Sequence, residues 1–121
     1  MKSHWVTHQG KRVFIADFSN CGSDAALISA ECAAIKAELS RELPASVRSV
    51  TNATGTFSNP DVIKALSELL PYSNKYVRRR AAVGAGGFRK YFLEIFSNFT
   101  GNAPFKACDT VAQALDWIVQ D

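Results

Sequence analysis

The sequence predicts an α/β protein with a mainly parallel sheet, an antiparallel hairpin at its N-terminal edge and about four helices. Two observations predict this class. Short runs rich in β-branched and aromatic residues alternate with longer amphipathic segments, as they do in β-α units. The first two runs are separated by a tight turn, which is typical of a hairpin. The chain has 121 residues, 47% hydrophobic and 21% charged, so we expect a single domain over residues 1–121 with a sizeable core.

The hairpin is predicted from "HWVTHQ" and "RVFIADF", with "GK" at the turn. In the second strand, Val13 and Ile15 share one face. Phe14, Ala16 and Phe18 share the other face, because successive side chains of a strand point to opposite sides. Both faces are mostly apolar, so we expect this strand to lie inside the sheet with cover on each side.

The first helix is predicted in "SNCGSDAALISAECAAIKAELSREL". Ser23 followed by Asp24 supplies a good N-terminal cap. Apolar residues recur at helical spacing and define the buried face: Ile28, Cys32, Ile35 and Leu39. The next run, "SVRSVTNATG", predicts a third strand that is more polar than central strands usually are.

A second helix is predicted from "TFSNPDVIKALSELL". Asn59 is its cap, Pro60 its first residue and Asp61 part of its first turn, where a negative charge is favourable. Its apolar stripe consists of Ile63, Leu66 and Leu70. We expect Pro71 to break this helix, which leaves "PYSNKYVR" as a short second helix or an irregular link.

The remaining segments predict two more strand–helix units. "AAVGA" is a short apolar run that suits a buried parallel strand, and "GG" is the turn after it. "FRKYFLEIFSNF" predicts a helix, "FKAC" a last strand and "DTVAQALDWIVQ" a capped C-terminal helix. Helices between parallel strands imply right-handed crossovers.

The glycines of "RRRAAVGAGGFRK" raise the question of a phosphate site. Gly84 and Gly86 fit the start of the dinucleotide fingerprint G-x-G-x-x-G, but Arg89 stands where its last glycine belongs. The Walker pattern is also missing. Gly86 and Gly87 at a helix N-terminus then predict a weak anion site, with a purely structural turn as the alternative. The rival to a binding function is therefore an enzyme or anion-binding protein that holds a small phosphorylated ligand here.

Six of the fourteen lysines and arginines lie between Glu68 and Glu94, where the sequence has no acidic residue. Within this stretch, Arg78, Arg79 and Arg80 enter the fourth strand. We interpret them as a contact for anions, for acidic lipid headgroups or for a protein partner. The alternative is a solvated edge that keeps the protein soluble. The net charge of +3 and the lack of a recognised motif argue against nucleic acid as a partner.

No catalytic residue, cofactor or metal site is predicted. Cys21, Cys32 and Cys108 are widely spaced without a C-x-x-C pair, which argues against a disulfide framework and a zinc site. We interpret the two histidines, His4 and His8, as exposed strand residues rather than metal ligands. A nucleophile elbow is missing from the sequence. No apolar run approaches the roughly 20 residues of a membrane span, so we expect a cytoplasmic protein.

Three phrases are distributed over nearly the whole chain: "VFIADFSN", "RRRAAVGAGGFRKYF" and "FKACDTVAQALDWI". In these phrases and in its order of elements, the chain resembles the SpoIIAA-like proteins, small bacterial relatives of the STAS domains. The resemblance implies a STAS-type α/β sandwich with a non-enzymatic role in binding or regulation. This subgroup is also similar to CRAL-TRIO lipid-transfer domains, which implies an apolar, lipid-like ligand or peripheral membrane contact.

The resemblance also bears on Ser58. In anti-sigma factor antagonists of this superfamily, a phosphorylated serine follows the third strand at a helix start, and Ser58 in "GTFSNPD" lies nearest that place. The acid before that serine and the glycine after it are missing here. Ser58 is therefore either a regulatory phosphosite or, together with Asn59, a plain helix cap.

The helix predicted after the glycines carries five of the chain's thirteen aromatic residues: Phe88, Tyr91, Phe92, Phe96 and Phe99. One stripe of this helix suffices for core packing. We therefore predict that a ligand-binding groove is lined by Phe88, Tyr91, Phe92 and Phe96. The groove would take an acyl chain or a helix of a protein partner, and another copy of this chain is one such partner. A large core with a few exposed apolar residues is the alternative.

Overall fold

The computed structural model of the protein describes residues 1–57, 59–84 and 103–120. Within these ranges, strands are formed by His4–His8 (β1), Lys11–Asp17 (β2), Val47–Asn52 (β3), Val77–Val83 (β4) and Phe105–Cys108 (β5). Helices are formed by Ala25–Leu39 (α1), Pro60–Ser73 (α2) and Val111–Ile118 (α3). These elements confirm an α/β protein with the predicted hairpin. The helix predicted after the glycines lies outside the described residues.

The described strands form one mixed sheet in the order β1-β2-β3-β4-β5. β1 and β2 are antiparallel, with Trp5 opposite Phe14 and a turn at Gln9 and Gly10. β2, β3, β4 and β5 run parallel to one another. From β2 to β4, each strand lies beside the previous one in the same direction. Right-handed crossovers therefore place α1 and α2 on the same face of the sheet.

Two apolar cores cover the two faces of the sheet. Phe14, Ala16 and Phe18 pack with α1 and α2, whereas Val13 and Ile15 pack with α3. The alternation predicted for the second strand is thus confirmed. The helices contribute Ile28, Cys32, Ile35, Leu39, Leu66 and Leu70 to the first core and Ala114 and Ile118 to the second. The central strands are therefore covered on both sides by apolar side chains.

Of the two residues predicted to cap α1, Asp24 is the cap. Its carboxylate accepts hydrogen bonds from the backbone N–H groups of Ala26 (3.0 Å) and Leu27 (3.2 Å). Ser23 precedes the cap and is exposed. The predicted apolar stripe of this helix is buried along its whole length, which fixes one side of α1 to the sheet.

α2 continues through Pro71 to Ser73, so the prediction that Pro71 breaks the helix is wrong. Pro71 lies in the last turn, where its missing N–H removes one backbone hydrogen bond. The helix still ends with an intact bond, since the N–H of its C-cap residue Asn74 donates to the carbonyl oxygen of Leu70 (3.0 Å). The predicted cap, Asn59, is confirmed.

The chain leaves β4 through Gly84, whose backbone has a φ of +80°. A Cβ atom at this position would lie 2.6 Å from the backbone nitrogen of Thr54 and would also overlap its hydroxyl oxygen. Glycine is therefore required here for two reasons, the left-handed backbone and the close approach of the loop that follows β3.

Polar contacts attach the hairpin to α1. The buried Glu31 carboxylate accepts hydrogen bonds from the backbone N–H groups of Lys2 (3.1 Å) and Ser3 (2.9 Å). The indole Nε1 of Trp5 donates to Glu38 (3.0 Å). Burial by itself would raise the pKa of Glu31, but the hydrogen bonds from Ser3 and Lys2 outweigh it and hold that pKa below its ordinary value.

Candidate functional site

The three consecutive arginines of β4 do not share one surface. Arg78 is exposed, Arg79 is half-buried and Arg80 is buried, with 3% of its surface exposed. Because neighbouring strand residues point to opposite faces, Arg79 and Arg80 lie on opposite sides of the sheet. The predicted contact with anions or membrane stays a prediction, and Arg78 is the exposed member of the three. Among the described helices, none is long and apolar enough to cross a membrane.

Arg79 packs against α3. Its guanidinium carbon is 3.8 Å from the centre of the Trp117 ring, and its Nη2 donates a hydrogen bond to the carbonyl oxygen of Trp117 (3.0 Å). A cation over an indole face is attracted by the negative charge of the π-system. These two contacts of Arg79 therefore hold α3 against the sheet.

Arg80 lies in the core on the side of α1 and α2. Its Nη2 donates hydrogen bonds to Ser73 Oγ (2.8 Å) and Asn74 Oδ1 (3.3 Å). Burial lowers the pKa of Arg80 to about 10, which leaves the guanidinium charged at neutral pH. Sequence reasoning treated the three arginines alike. The alternation of the strand did not reveal the buried position of Arg80, because a β-bulge shifts the register between Val47 and Arg48 and leaves Val77 and Arg80 on the same face.

A small cavity lies beside Arg80, between the sheet and the helices α1 and α2. Its volume is about 20 Å³, which is room for roughly one water molecule. Phe14, Phe18 and Leu66 are among its apolar lining residues. Ser49 and Arg80 are among the polar ones. The cavity therefore combines an apolar wall with a buried positive charge.

The outer face of α1 is unusual for an exposed helix. Its exposed residues, which together we name the alanine face, are Ala26, Leu27, Ser29, Ala30, Ala33 and Ala37. The charged residues of the helix lie elsewhere: Glu31 is buried, and Lys36 and Glu38 are half-buried. A surface helix normally presents charged and polar side chains to water. The alanine face therefore offers an uncharged surface on a helix of 15 residues, about 22 Å long.

The alanines of this face lie almost in a line. Ala26, Ala30, Ala33 and Ala37 follow one another at intervals of four, three and four residues. At about 100° per residue, these positions fall within roughly 60° around the helix axis. Leu27, beside the line, is 54% exposed. The result is a straight ridge of methyl groups with one larger apolar side chain next to its N-terminal end.

Clefts run along both sides of the alanine face. On the α2 side, a cleft of about 340 Å³ is lined by Ala26 and Ser29 of α1 and by Asp61, Lys64 and Glu68 of α2. On the other side, the lining of a cleft of about 430 Å³ includes Met1, Leu27, Ala30 and Ala34. The first cleft is charged along its α2 wall, while the second is mostly apolar along α1.

Sequence reasoning missed the alanine face. The apolar spacing predicted only the buried stripe of α1. The signal was present in "AALISAECAAIKAEL", which contains six alanines and three charged residues. In a helix with one solvated side, the positions opposite the buried stripe should be polar, and here they are alanine.

The described cysteines and histidines are side chains that could act as nucleophiles or as metal ligands. Cys21, Cys32 and Cys108 are free thiols. Burial raises the pKa of Cys32 to about 12 and also raises that of Cys108. His8 pairs with Asp116 at 2.8 Å. In residues 1–57, 59–84 and 103–120, no group of three or more His, Cys, Asp or Glu side chains is arranged to hold a metal ion.

Seven of the predicted site residues lie outside the described part of the chain: Ser58, Gly86, Gly87, Phe88, Tyr91, Phe92 and Phe96. The phosphosite, the anion site at the glycines and the aromatic groove therefore stay predictions. The structure places the alanine face and the Arg80 cavity within residues that it does describe.

A scan against protein-family models found no match for this chain, and a search of curated proteins found none either. The resemblance to the SpoIIAA-like proteins therefore rests on three sequence phrases and on the order of elements. Membership in that family stays a prediction. The structure supports the broader class, an α/β protein with a mixed five-stranded sheet in its described part.

Proposed function

We propose that this protein is a non-enzymatic binding domain whose binding surface is the alanine face of α1. The observation that supports the proposal is that the exposed positions of α1 carry alanine, leucine and serine instead of charged residues. Contact with a partner removes apolar surface from water, which contributes about 25 cal/mol per Å². Because the alanine face carries no charged side chain, this contact avoids the free-energy cost of removing a charge from water.

The alanine face suits a helix as its partner. Methyl side chains let a second helix approach more closely than leucine or phenylalanine side chains do. The clefts on either side have room for larger side chains from that partner. α1 is already held in place by its buried stripe and by the Asp24 cap, so little conformational entropy is lost when a partner binds.

A binding role is also in keeping with the chemistry of the described thiols. A raised pKa keeps a thiol protonated at neutral pH, and the protonated form is a poor nucleophile. This applies to Cys32 and Cys108. The resemblance to SpoIIAA-like proteins supports the same role.

The proposal is tested by site-specific photo-crosslinking in cells that express the protein at its natural level. A photoreactive amino acid is placed at Ala33 in the alanine face and, as a matched control, at Ala112, an exposed alanine of α3. We expect a discrete crosslinked protein from position 33 and little or none from position 112. Equal crosslinking at the two positions, or none at position 33, would contradict the proposal.

A second candidate is the binding of an apolar ligand with an anionic head, and the Arg80 cavity favours it. Its apolar wall suits a chain and its guanidinium suits a carboxylate. At about 20 Å³, the cavity is far smaller than the several hundred Å³ of a usual ligand pocket. Such a ligand would therefore have to move α1 or α2 away from the sheet.

This second candidate is tested by thermal unfolding with decanoate, decanol and a panel of nucleotides. A ligand at 100 times its dissociation constant stabilises the folded state by about 2.7 kcal/mol. We expect decanoate to stabilise the wild type more than decanol does, and Arg80→Gln to remove that difference. Stabilisation by neither compound excludes the candidate. Stabilisation by a nucleotide would instead favour the anion site predicted at Gly86 and Gly87.

A further inference from the structure

We propose that the partner of the alanine face is a second copy of the same chain, bound with its α1 antiparallel to the first. This inference rests on the proposed function of α1 and names its partner. Two features support it independently: the spacing of the alanines, and the positions of charged side chains on the α2 side of the face.

The spacing of the alanines is self-complementary. Intervals of four, three and four residues read the same in both directions. An antiparallel copy centred between Ala30 and Ala33 places Ala30 opposite Ala33 and Ala26 opposite Ala37. Small side chains then meet small side chains along the whole contact, which allows the two helices to pack closely.

The charges on the α2 side of α1 select the antiparallel direction. Lys36 lies on that side, with its ammonium group 5.7 Å from the centre of the Tyr72 ring of α2. Nearer the N-terminal end, Asp61 and Glu68 line the cleft beside Ala26. Lys64 lines the same cleft, so its α2 wall carries one more carboxylate than ammonium group. That wall is complementary to an additional cation.

The antiparallel register supplies this cation. A twofold axis perpendicular to the helices keeps the α2 side of one copy against the α2 side of the other. Lys36 of each copy then lies level with position 27 of the other, next to its Asp61. A parallel arrangement would instead place the α2 sides of the two copies on opposite flanks of the contact, so that Lys36 of one copy would lie far from Asp61 of the other. Antiparallel helices also align their dipoles favourably.

The size of the contact predicts a reversible dimer. The surface area on one face of a helix about 22 Å long is smaller than the roughly 800 Å² that each partner buries in a standard stable interface. We therefore expect a dimer that dissociates on dilution and exchanges its subunits. Subunit exchange makes a mixing experiment possible.

The charge contact is tested by sedimentation velocity and native mass spectrometry on two variants, Lys36→Glu and Asp61→Lys. Each variant alone brings like charges together twice in the symmetric dimer, so we expect self-association to weaken about tenfold or more. In a mixture of the two variants, one contact pairs the two substituted residues and the other pairs the two native ones. We therefore expect the mixture to form a heterodimer within about threefold of the wild-type affinity.

Several results would overturn the inference. One is a mixture that associates no better than the separate variants, and another is wild-type association by both variants. A third is a wild type that stays monomeric at about 1 mM, since even weak specific dimers associate there. The variant Ala33→Arg should also abolish the dimer, whereas Ala112→Arg on α3 should leave it unchanged. Thermal unfolding of each variant shows whether it is folded.

The crosslinking experiment at Ala33 separates this inference from the proposed function. A product with twice the mass of the chain supports both. A product that contains a different protein overturns the second copy as partner and leaves the binding role of α1 in place. The absence of a product, both in cells and with purified protein at about 1 mM, overturns both.

Discussion

The guanidinium of Arg79 stacks at 3.8 Å on the ring of Trp117, a residue 38 positions further along the chain. Its neighbour Arg80 lies on the opposite face of the sheet and donates hydrogen bonds to Ser73 and Asn74. Two adjacent cations thus stabilise different parts of the fold. A run of three arginines in the sequence therefore does not produce one basic surface in the structure.

The stack of Arg79 on Trp117 should be measurable as stability. Arg79→Ala removes a cation–π contact of about 0.5–2 kcal/mol and a hydrogen bond, and we expect it to lower the free energy of unfolding by about 1–2 kcal/mol. Lys106→Ala, at an exposed cation of the neighbouring strand β5, should change it by less than about 0.5 kcal/mol. Urea unfolding of the two variants tests this. Equal effects would show that the contact with α3 contributes nothing to stability.

A comparison of Gly84 with Gly10 tests the close approach of Gly84 to Thr54 at the end of β4. Both have positive φ, but a Cβ atom at Gly10 would meet open space, whereas at Gly84 it would overlap Thr54. Gly10→Ala should cost about 1 kcal/mol from its backbone conformation alone. Gly84→Ala should cost about 2–4 kcal/mol, because the overlap adds to the backbone cost. Urea unfolding that gives the same loss for both variants would contradict the packing described here.

Glu31 should make stability depend on pH. Because its pKa is lower in the folded protein, the stabilisation is fully present above the unfolded value of about 4.3 and is lost as the pH falls through the folded value. We expect Glu31→Gln to be less stable than the wild type by about 1–3 kcal/mol at neutral pH, and the difference to shrink in acid. Exposed Glu68→Gln is the control. A difference that does not change with pH would exclude this role of the carboxylate.

Sequence patterns predicted the parts of the fold in which one periodicity dominates. The alternation in the second strand and the stripe from Ile28 to Leu39 are confirmed because burial alone determines them. The end of α2 could not be predicted from Pro71, since the cost of a proline depends on how many turns follow it. The alanine face was missed for a different reason. Alanine favours helix formation at both buried and exposed positions, so its presence does not show which side faces water.

The raised pKa of the buried Cys32 thiol predicts very slow alkylation. At about pH 8, a thiol with an ordinary pKa reacts readily, whereas one that stays protonated does not. We expect iodoacetamide to label Cys32 in the native protein no faster than the protein unfolds, and to label it rapidly in urea. Mass spectrometry of the labelled peptides tests this. Rapid native labelling of Cys32 would show that the space under α1 is open to solvent.

The central claim is that the alanine face of α1 is a binding surface occupied by a second copy of the chain. The most direct measurement is an NMR dilution series on wild-type protein with labelled alanine methyl groups, from about 1 mM to about 10 μM, which covers the affinities expected of small interfaces. We expect concentration-dependent shifts for the methyl groups of Ala26, Ala30, Ala33 and Ala37, while that of Ala112 on α3 stays fixed. Methyl signals of α1 that do not move over this range, or that move no more than Ala112, would contradict the claim.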